Sequence, residues 1–491
     1  MSVEPDSTRG GGVSPSSDLA PLPTGWGVPL SLALLAGPVI ATMVSRTVMS
    51  FADFAMVSRL GEEATAAIMP AGISVWCMIC FGFGIISVTN TFVSQSLGKG
   101  EHAECSRYTW QGLYLAAGLG LIALPAWWLA PSFFALADHA PEVQRLEVIY
   151  FRVSLFGVMP AVAANVVANF FTGIHKPSIG LFAAVTANAF NIAANYVLIF
   201  GKLGFPAMGI AGAAWATAAA SLLQVAILLA VWLGPGYARA FASRASWRPS
   251  WSRIKRIVRV GMPVGVQFES DIFGFTVFTV FMVGEYGTQQ LAANNLVFKF
   301  LEIAFMPVVG LSIALSSAVG KAIGEGQHGY ARLVVRWAVG GALVYMLAIG
   351  AVYLVFRYEL PGLILENPSA EVIRWSATLF ILCALFEVFD AFGITMTGAL
   401  RGAGDTFWPG MTTFVLSATV FMGGGFAMMH FAPQLESVGP WLAATAFICA
   451  YAVVVSLRWW YGPWEKIDLF ADGKTAAAAQ VGESAVVVEP A

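Results

Sequence analysis

Apolar runs about as long as a bilayer is thick recur along nearly the whole chain, and this repetition constrains the fold more than any motif does. A helix needs about 20 residues to cross the hydrocarbon core. Twelve windows reach that length, at 28–57, 66–96, 107–132, 147–174, 178–201, 207–234, 258–284, 290–320, 331–356, 373–400, 406–431 and 436–461. Backbone polar groups in lipid must be bonded within their own segment, so windows of this kind predict helices. Only 11% of the residues are charged, against roughly 25% in a soluble domain. The reading is an all-α membrane protein whose main partner is the lipid bilayer.

Neither end of the chain continues the pattern. Residues 1–27 are rich in Ser, Pro and Gly with Arg9 as their one basic residue, so they lack the charged start and apolar core of a signal peptide and are expected to be a disordered tail. Residues 462–491 are expected to be a second tail, with no chemistry in either. Lysines and arginines gather in cytoplasmic loops. With both termini inside, 18 of the 26 fall on inner segments, Arg401 among them, and five on outer loops (Arg59, Arg145, Lys202, Arg357, Arg374). Seven lie between 238 and 259 and mark a basic cytoplasmic linker at 235–257, between six-helix lobes at 28–234 and 258–461. The cluster reads as topological, with no nucleic-acid partner. The five cysteines suggest neither redox nor metal chemistry, since Cys77 and Cys80 lie in an apolar helix without a second ligand pair.

The two halves repeat. An offset of 226 carries Gly61 onto Gly287, Ala66 onto Ala292, Gly98 onto Gly324 and Gly100 onto Gly326, and an offset of 225 carries Pro38 onto Pro263 and Thr172 onto Thr397. Corresponding windows enter from the same side, so the lobes are expected to be related by a pseudo-two-fold axis along the membrane normal. Two such bundles enclose a cleft that rocking can expose to either side in turn, which suits a transporter.

Charges inside the windows are the conspicuous exceptions. A charge at the bilayer centre costs at least roughly 2.5–3.5 kcal/mol, so those that remain are paired, water-facing or functional. They are Arg46 and Asp53 in the first window, Arg152 in the fourth, Glu269 and Asp271 in the seventh, Lys299 and Glu302 in the eighth, and Glu387 and Asp390 in the tenth. Lys299 and Glu302 are three apart and can neutralise each other. Arg152, near a window end, can carry its charge to the interface on its long stem. Glu387 and Asp390 are also three apart but share a sign, so they cannot both ionise cheaply, and at least one is expected to bind a proton or a cation. Asp271 lies thirteen residues into its window, about 20 Å along a helix and near the midplane. Glu269 points to nearly the opposite face. Arg46, seven residues before Asp53 and roughly on its face, is a candidate ion-pair partner for it.

No GxxxxGK[ST] phosphate loop, nucleophile elbow, HExxH or Ser-His-Asp cue occurs. An enzyme is therefore not expected, and energy must come from an ion gradient or a partner.

Five segments in order, "SFADFAMVSRLG", "SQSLGKGE", "NIAANYVLIFGKLGFPAMGIAGAAWAT", "GMPVGVQFESDIFGF" and "FDAFGITMTGALRGAGDT", resemble the multidrug and toxic compound extrusion (MATE) family, in its NorM-like branch. The resemblance spans nearly everything outside the tails. It implies a monomeric, twelve-helix antiporter of the bacterial inner membrane, exporting organic cations and amphipathic drugs in exchange for H⁺ or Na⁺, with no other cofactor. It implies coupling acids at Asp271, Asp390 and Asp53, and polar cleft residues at Asn191 and Asn195. Arg46, the aspartate in place of a glutamate at 271, and the extra acid Glu387 depart from the family pattern. The expected site is a C-lobe acidic pair, Asp271 and Asp390, holding H⁺ or Na⁺, with Glu269, Glu387 and Asp53 in support and Phe273, Phe275 and Phe386 offering apolar contact. Two rival readings stay open: a lipid-linked saccharide flippase of the same superfamily, which would want a basic cavity, and a membrane receptor or scaffold without flux.

Overall fold

The computed structural model describes residues 25–137, 139–365 and 368–470, which leaves most of both predicted tails outside the described residues. The spans are α1 (Gly27–Leu60), α2 (Glu62–Gly98), α3 (His102–Ala123 with Ala126–Ala135, bent by 50°), α4 (Pro141–Gly173), α5 (Pro177–Phe200) and α6 (Ile210–Trp232) in the N-lobe. The C-lobe holds α7 (Trp251–Tyr286), α8 (Thr288–Gly324), α9 (His328–Phe356), α10 (Ala370–Ala403), α11 (Phe407–Phe431) and α12 (Val438–Tyr461). All twelve windows are helical, and the chain is an integral membrane protein.

Local chemistry sets the helix ends and tolerates their prolines. Ser369 caps α10, its side chain accepting the Val372 N–H, and Gly404 ends that helix at φ +87°, a left-handed geometry open to glycine at no steric cost. Pro38 and Pro70 lie inside α1 and α2, and the hydroxyls of Thr42 and Ser74 bond back to the proline carbonyls at 2.8 Å, the i−4 back-bonding usual for Ser and Thr within a helix. Phe170, Phe171 and Trp232 centre the N-lobe core, and Phe278, Phe380, Phe421 and Trp441 that of the C-lobe.

The lobes meet along glycine-lined seams, where small residues let backbones approach closely. Gly84 of α2 lies against the backbone of Gly265 in α7, and Gly310 of α8 against Ile40 in α1. The repeat offsets carry Gly84 onto Gly310 and Ile40 onto Gly265, so the two seams are one contact copied by the pseudo-two-fold. On the axis, equivalent residues touch each other: Gly98 meets Gly324, and Ser94 meets Gly320. Side chains of one lobe bond carbonyls of the other here. Asn90 reaches Ile313 O at 3.2 Å, Thr91 reaches Arg401 O at 2.9 Å, Gln95 reaches Gly402 O at 3.0 Å and Ser317 reaches Thr172 O at 2.8 Å. All of these lie in the half nearer the linker, the end at which α2, α8 and α10 finish.

Two boundaries differ from expectation. Trp251 starts α7, so the basic linker ends at residue 250, and it is tied to α3: Trp110 Nε1 donates to Ser243 O at 2.7 Å, and Gln111 Nε2 to Arg248 O at 3.2 Å. The segment just past α12 is packed and not a free tail. Trp464 is buried and stacks on Trp459 with ring centroids 4.1 Å apart. Leu469 and Phe470 then lie among Val88, Phe92, Tyr108 and Ile257, against both lobes.

Candidate functional site

The intramembrane charges fall into separate groups, each placed by the helix that carries it. In the C-lobe, Asp271 of α7 and Asp390 of α10 are both half-buried and lie within electrostatic range of each other, and Asp271 also feels the guanidinium of Arg401. Around them runs a polar network. Arg401 Nη2 donates to Gln267 Oε1 at 2.7 Å, Gln267 Nε2 donates to Tyr451 OH at 2.9 Å, and that hydroxyl meets Thr397 Oγ1 at 2.6 Å. Gln267 is one helical turn before Asp271, so both look the same way from α7. The result is a water-accessible pair of acids with a fixed cation on its linker side.

Asp53 is not part of this pair. It accepts a hydrogen bond from Asn195 Nδ2, which also bonds Asn191 Oδ1 at 3.1 Å, while Asn191 Nδ2 reaches Thr217 Oγ1 at 3.2 Å. Both asparagines are fully buried. The second half of α1 is bonded to α5 through Ser45 and Asp53, and this puts Asp53 in a second, N-lobe polar cluster.

Arg46 forms no ion pair with Asp53. Its guanidinium sits over the rings of Trp76 and Phe83 at 5.2 and 5.4 Å from their centroids, so aromatic faces of α2 take the place of a carboxylate. Lys299 and Glu302 do pair with each other, at 3.1 Å on an exposed surface. Arg152 donates to the Trp127 carbonyl at 3.0 Å and lies over that ring.

The supporting acids turn away from the pocket. Glu269 accepts the Cys80 thiol at 3.3 Å across the α2–α7 seam. Glu387 is 2% exposed, and neither of its oxygens has a partner. It faces Tyr345 and Tyr353 of α9 from behind Asp390. Phe386 is likewise no cleft residue, since Trp441 of α12 stacks over it and leaves it 5% exposed. Phe273 is exposed, whereas Phe275, partly exposed, packs edge-on against Phe298 and Phe421.

Sequence reasoning missed Gln267, Tyr451 and Arg401. Uncharged polar residues carry no membrane penalty large enough to stand out, and Arg401 reads as a loop charge beside Gly402 and Gly404 although α10 runs on to Ala403. Among the described residues no group of three His, Cys, Asp or Glu side chains could hold a metal ion. Any cation at Asp271 and Asp390 would therefore need other oxygens, such as hydroxyls or water, or be a proton.

Two six-helix lobes joined by a linker, in contact along a symmetric seam and holding acids at mid-depth, define a two-lobed membrane transporter. Solved structures share this architecture: a transporter of the multidrug/oligosaccharidyl-lipid/polysaccharide superfamily from Pyrococcus furiosus matches with a TM-score of 0.80 at 22% identity over 90% of this chain and 97% of that one. An outward-facing MATE multidrug resistance transporter matches at 0.77 and 19% identity, over 90% and 97%. The MatE family model matches residues 38–197 and 272–423, and the chain belongs to that family. Among similar proteins, a probable multidrug resistance protein NorM of Rhizobium meliloti is 28% identical over 90% of this chain and 95% of its own length. One from Mesorhizobium japonicum is 30% identical over 87% and 92%.

Proposed function

We propose that the chain is a secondary active antiporter that exports organic cations and other amphipathic drugs in exchange for H⁺ or Na⁺. The observation that supports this is that two half-buried acids of the C-lobe, Asp271 and Asp390, lie within electrostatic range of each other. Acids retained at that depth favour whatever cation neutralises them, so a small ion and a larger organic cation compete for one charge. An ion entering from outside neutralises the pair and weakens its hold on a cationic substrate, which leaves outward. The lobes then rock, the seam on the linker side opens, and the ion leaves inward. The bias of basic residues puts the linker and both termini in the cytoplasm of a bacterial plasma membrane, and the unit is taken as a monomer needing no cofactor beyond its ion. A saccharide-lipid flippase would want a basic cavity, and here Arg46 and Arg401 are outnumbered by Asp53, Asp271 and Asp390. Proteoliposomes loaded with ethidium and given an inward H⁺ or Na⁺ gradient test the reading. Wild-type protein should transport under one gradient, and Asp271→Asn and Asp390→Asn should abolish the coupling. Coupled transport by both variants overturns the acidic site, and no flux under either gradient favours a receptor or scaffold.

A further inference from the structure

Arg401 occupies a place that a purely structural arginine would not be expected to take. A guanidinium has five donors, no acceptor and a permanent charge. When buried, such a group is normally matched by carboxylates or carbonyls. Here one amine bonds Gln267, the plane lies over Phe268 at 5.1 Å, and the buried Nε has no partner. No carboxylate stands within 4.0 Å of it among the described residues, although Asp271 acts on it electrostatically. The charged and titratable groups that act on it are Asp271 of α7 and Tyr451 of α12, with Gln267 of α7 bonded to it and Asp390 acting in turn on Asp271.

We propose that Arg401 is the resident counter-cation of the C-lobe acidic site, balancing Asp271 when no ion is bound and so setting how tightly the site takes one, while its main-chain carbonyl, held by Thr91, ties that residue to the linker-side seam. The proposal rests on the reading that Asp271 and Asp390 bind the coupling ion. A fixed charge that cannot titrate competes with every incoming cation and keeps the ion from binding too firmly to be released. Because the same residue's carbonyl is bonded across the seam, and Gly402 O beside it accepts Gln95, opening the seam alters the backbone that carries the competing charge. Ion affinity then differs between the two states, as exchange requires. Arg401 acts through Asp271 and is therefore a positioning residue.

The test uses the full chain in proteoliposomes with ethidium as the transported cation, reading the H⁺ or Na⁺ concentration that half-saturates transport. Arg401→Gln keeps hydrogen-bonding capacity but removes the charge, and should lower that concentration by about tenfold or more while slowing maximal turnover. Arg401→Lys should restore the wild-type ion dependence. A merely structural arginine would lower expression or turnover without moving the half-saturation. Folded Arg401→Gln with a wild-type half-saturating concentration overturns the proposal. Should that variant not fold, Gln267→Leu, which frees the guanidinium to approach Asp271, must raise the half-saturating concentration by about threefold or more, and no change overturns it equally. Coupled transport by Asp271→Asn and Asp390→Asn would sink the underlying site instead. Loss of coupling in those two beside an unmoved Arg401→Gln would sink this inference alone.

Discussion

Alanine at Gly84 should force the lobes apart on the linker side. A methyl built there would lie 2.5 Å from Gly265 Cα and 2.6 Å from its nitrogen, where ordinary van der Waals contact begins near 3.4 Å. Both neighbours are backbone, so no side chain can swing away, and α2 and α7 must separate locally by roughly 1 Å. Overpacking of this kind costs about 1–3 kcal/mol, and if the seam exists only in the closed state the closed-to-open ratio falls about 5- to 150-fold. Ser317 reports it: the residue is fully buried and bonds Thr172 O across the seam. A cysteine at 317, in a background without the five natural ones, should react with a hydrophilic maleimide faster by that factor in Gly84→Ala. Gly340 of α9 has nothing within 4 Å of a built methyl, and Gly340→Ala should leave the rate unchanged while stabilising its helix by about 0.5–1 kcal/mol. Equal labelling of Gly84→Ala and wild type, both folded, would refute the tight-seam argument.

Two further outcomes are expected. His175, in the loop between α4 and α5, has its ring Nε2 3.5 Å from the Ser317 carbonyl, and burial followed by the nearby Lys321 charge pushes its pKa down from 6.5 to about 4. A folded-state value below the unfolded one means its contribution is full above about pH 6.5 and is lost as pH falls toward 4, on the order of 3 kcal/mol in all. Thermal unfolding should therefore weaken between pH 7 and 5 in the wild type and less so in His175→Asn, where asparagine tolerates the left-handed φ of +60°; identical pH profiles would contradict this. Trp464, 1% exposed and donating to Trp459 O at 2.6 Å, should cost about 3–5 kcal/mol on replacement by alanine, read from thermal unfolding in detergent, and a loss below about 1 kcal/mol would mean the segment after α12 is no part of the fold.

What could be read from residues alone followed how strongly each signal departs from lipid chemistry. Twelve spans were legible because a bilayer demands one length and one composition. The repeat was legible too, and which equivalent residues lie on its axis, as Ser94 and Gly320 do where they touch, is known only from the structure. Asp271 and Asp390 stood out because a carboxylate in an apolar helix is costly enough to need a reason. Which acids meet was a different question, since it depends on how helices lean. Asp53 was read as a supporting acid of the C-lobe site, but in its second half α1 bonds α5, and Asp53 accepts from Asn195.

Arg401 shows the limit most clearly. Charge counting placed it with the loops because the tenth apolar window stops at residue 400, and the two glycines that follow it have opposite uses. Gly404 ends α10 at a positive φ. Gly402, with Gly398 one turn earlier, instead lets α10 press against Ser316 and Ser312 of α8. With that close approach the last turn of α10 stays helical against α8, and its arginine bonds Gln267, one turn before Asp271. A glycine near a helix end thus has two readings, stop or close contact, and only the neighbouring helix decides between them. Here the decision sets the charge of the site: with Arg401 outside, Asp271 and Asp390 would form a bare pair of acids, and with it inside they form a pair whose appetite for cations is partly satisfied in advance. Under the exchange mechanism proposed above the second arrangement is the more useful, because a site must release each ion as readily as it accepts the next.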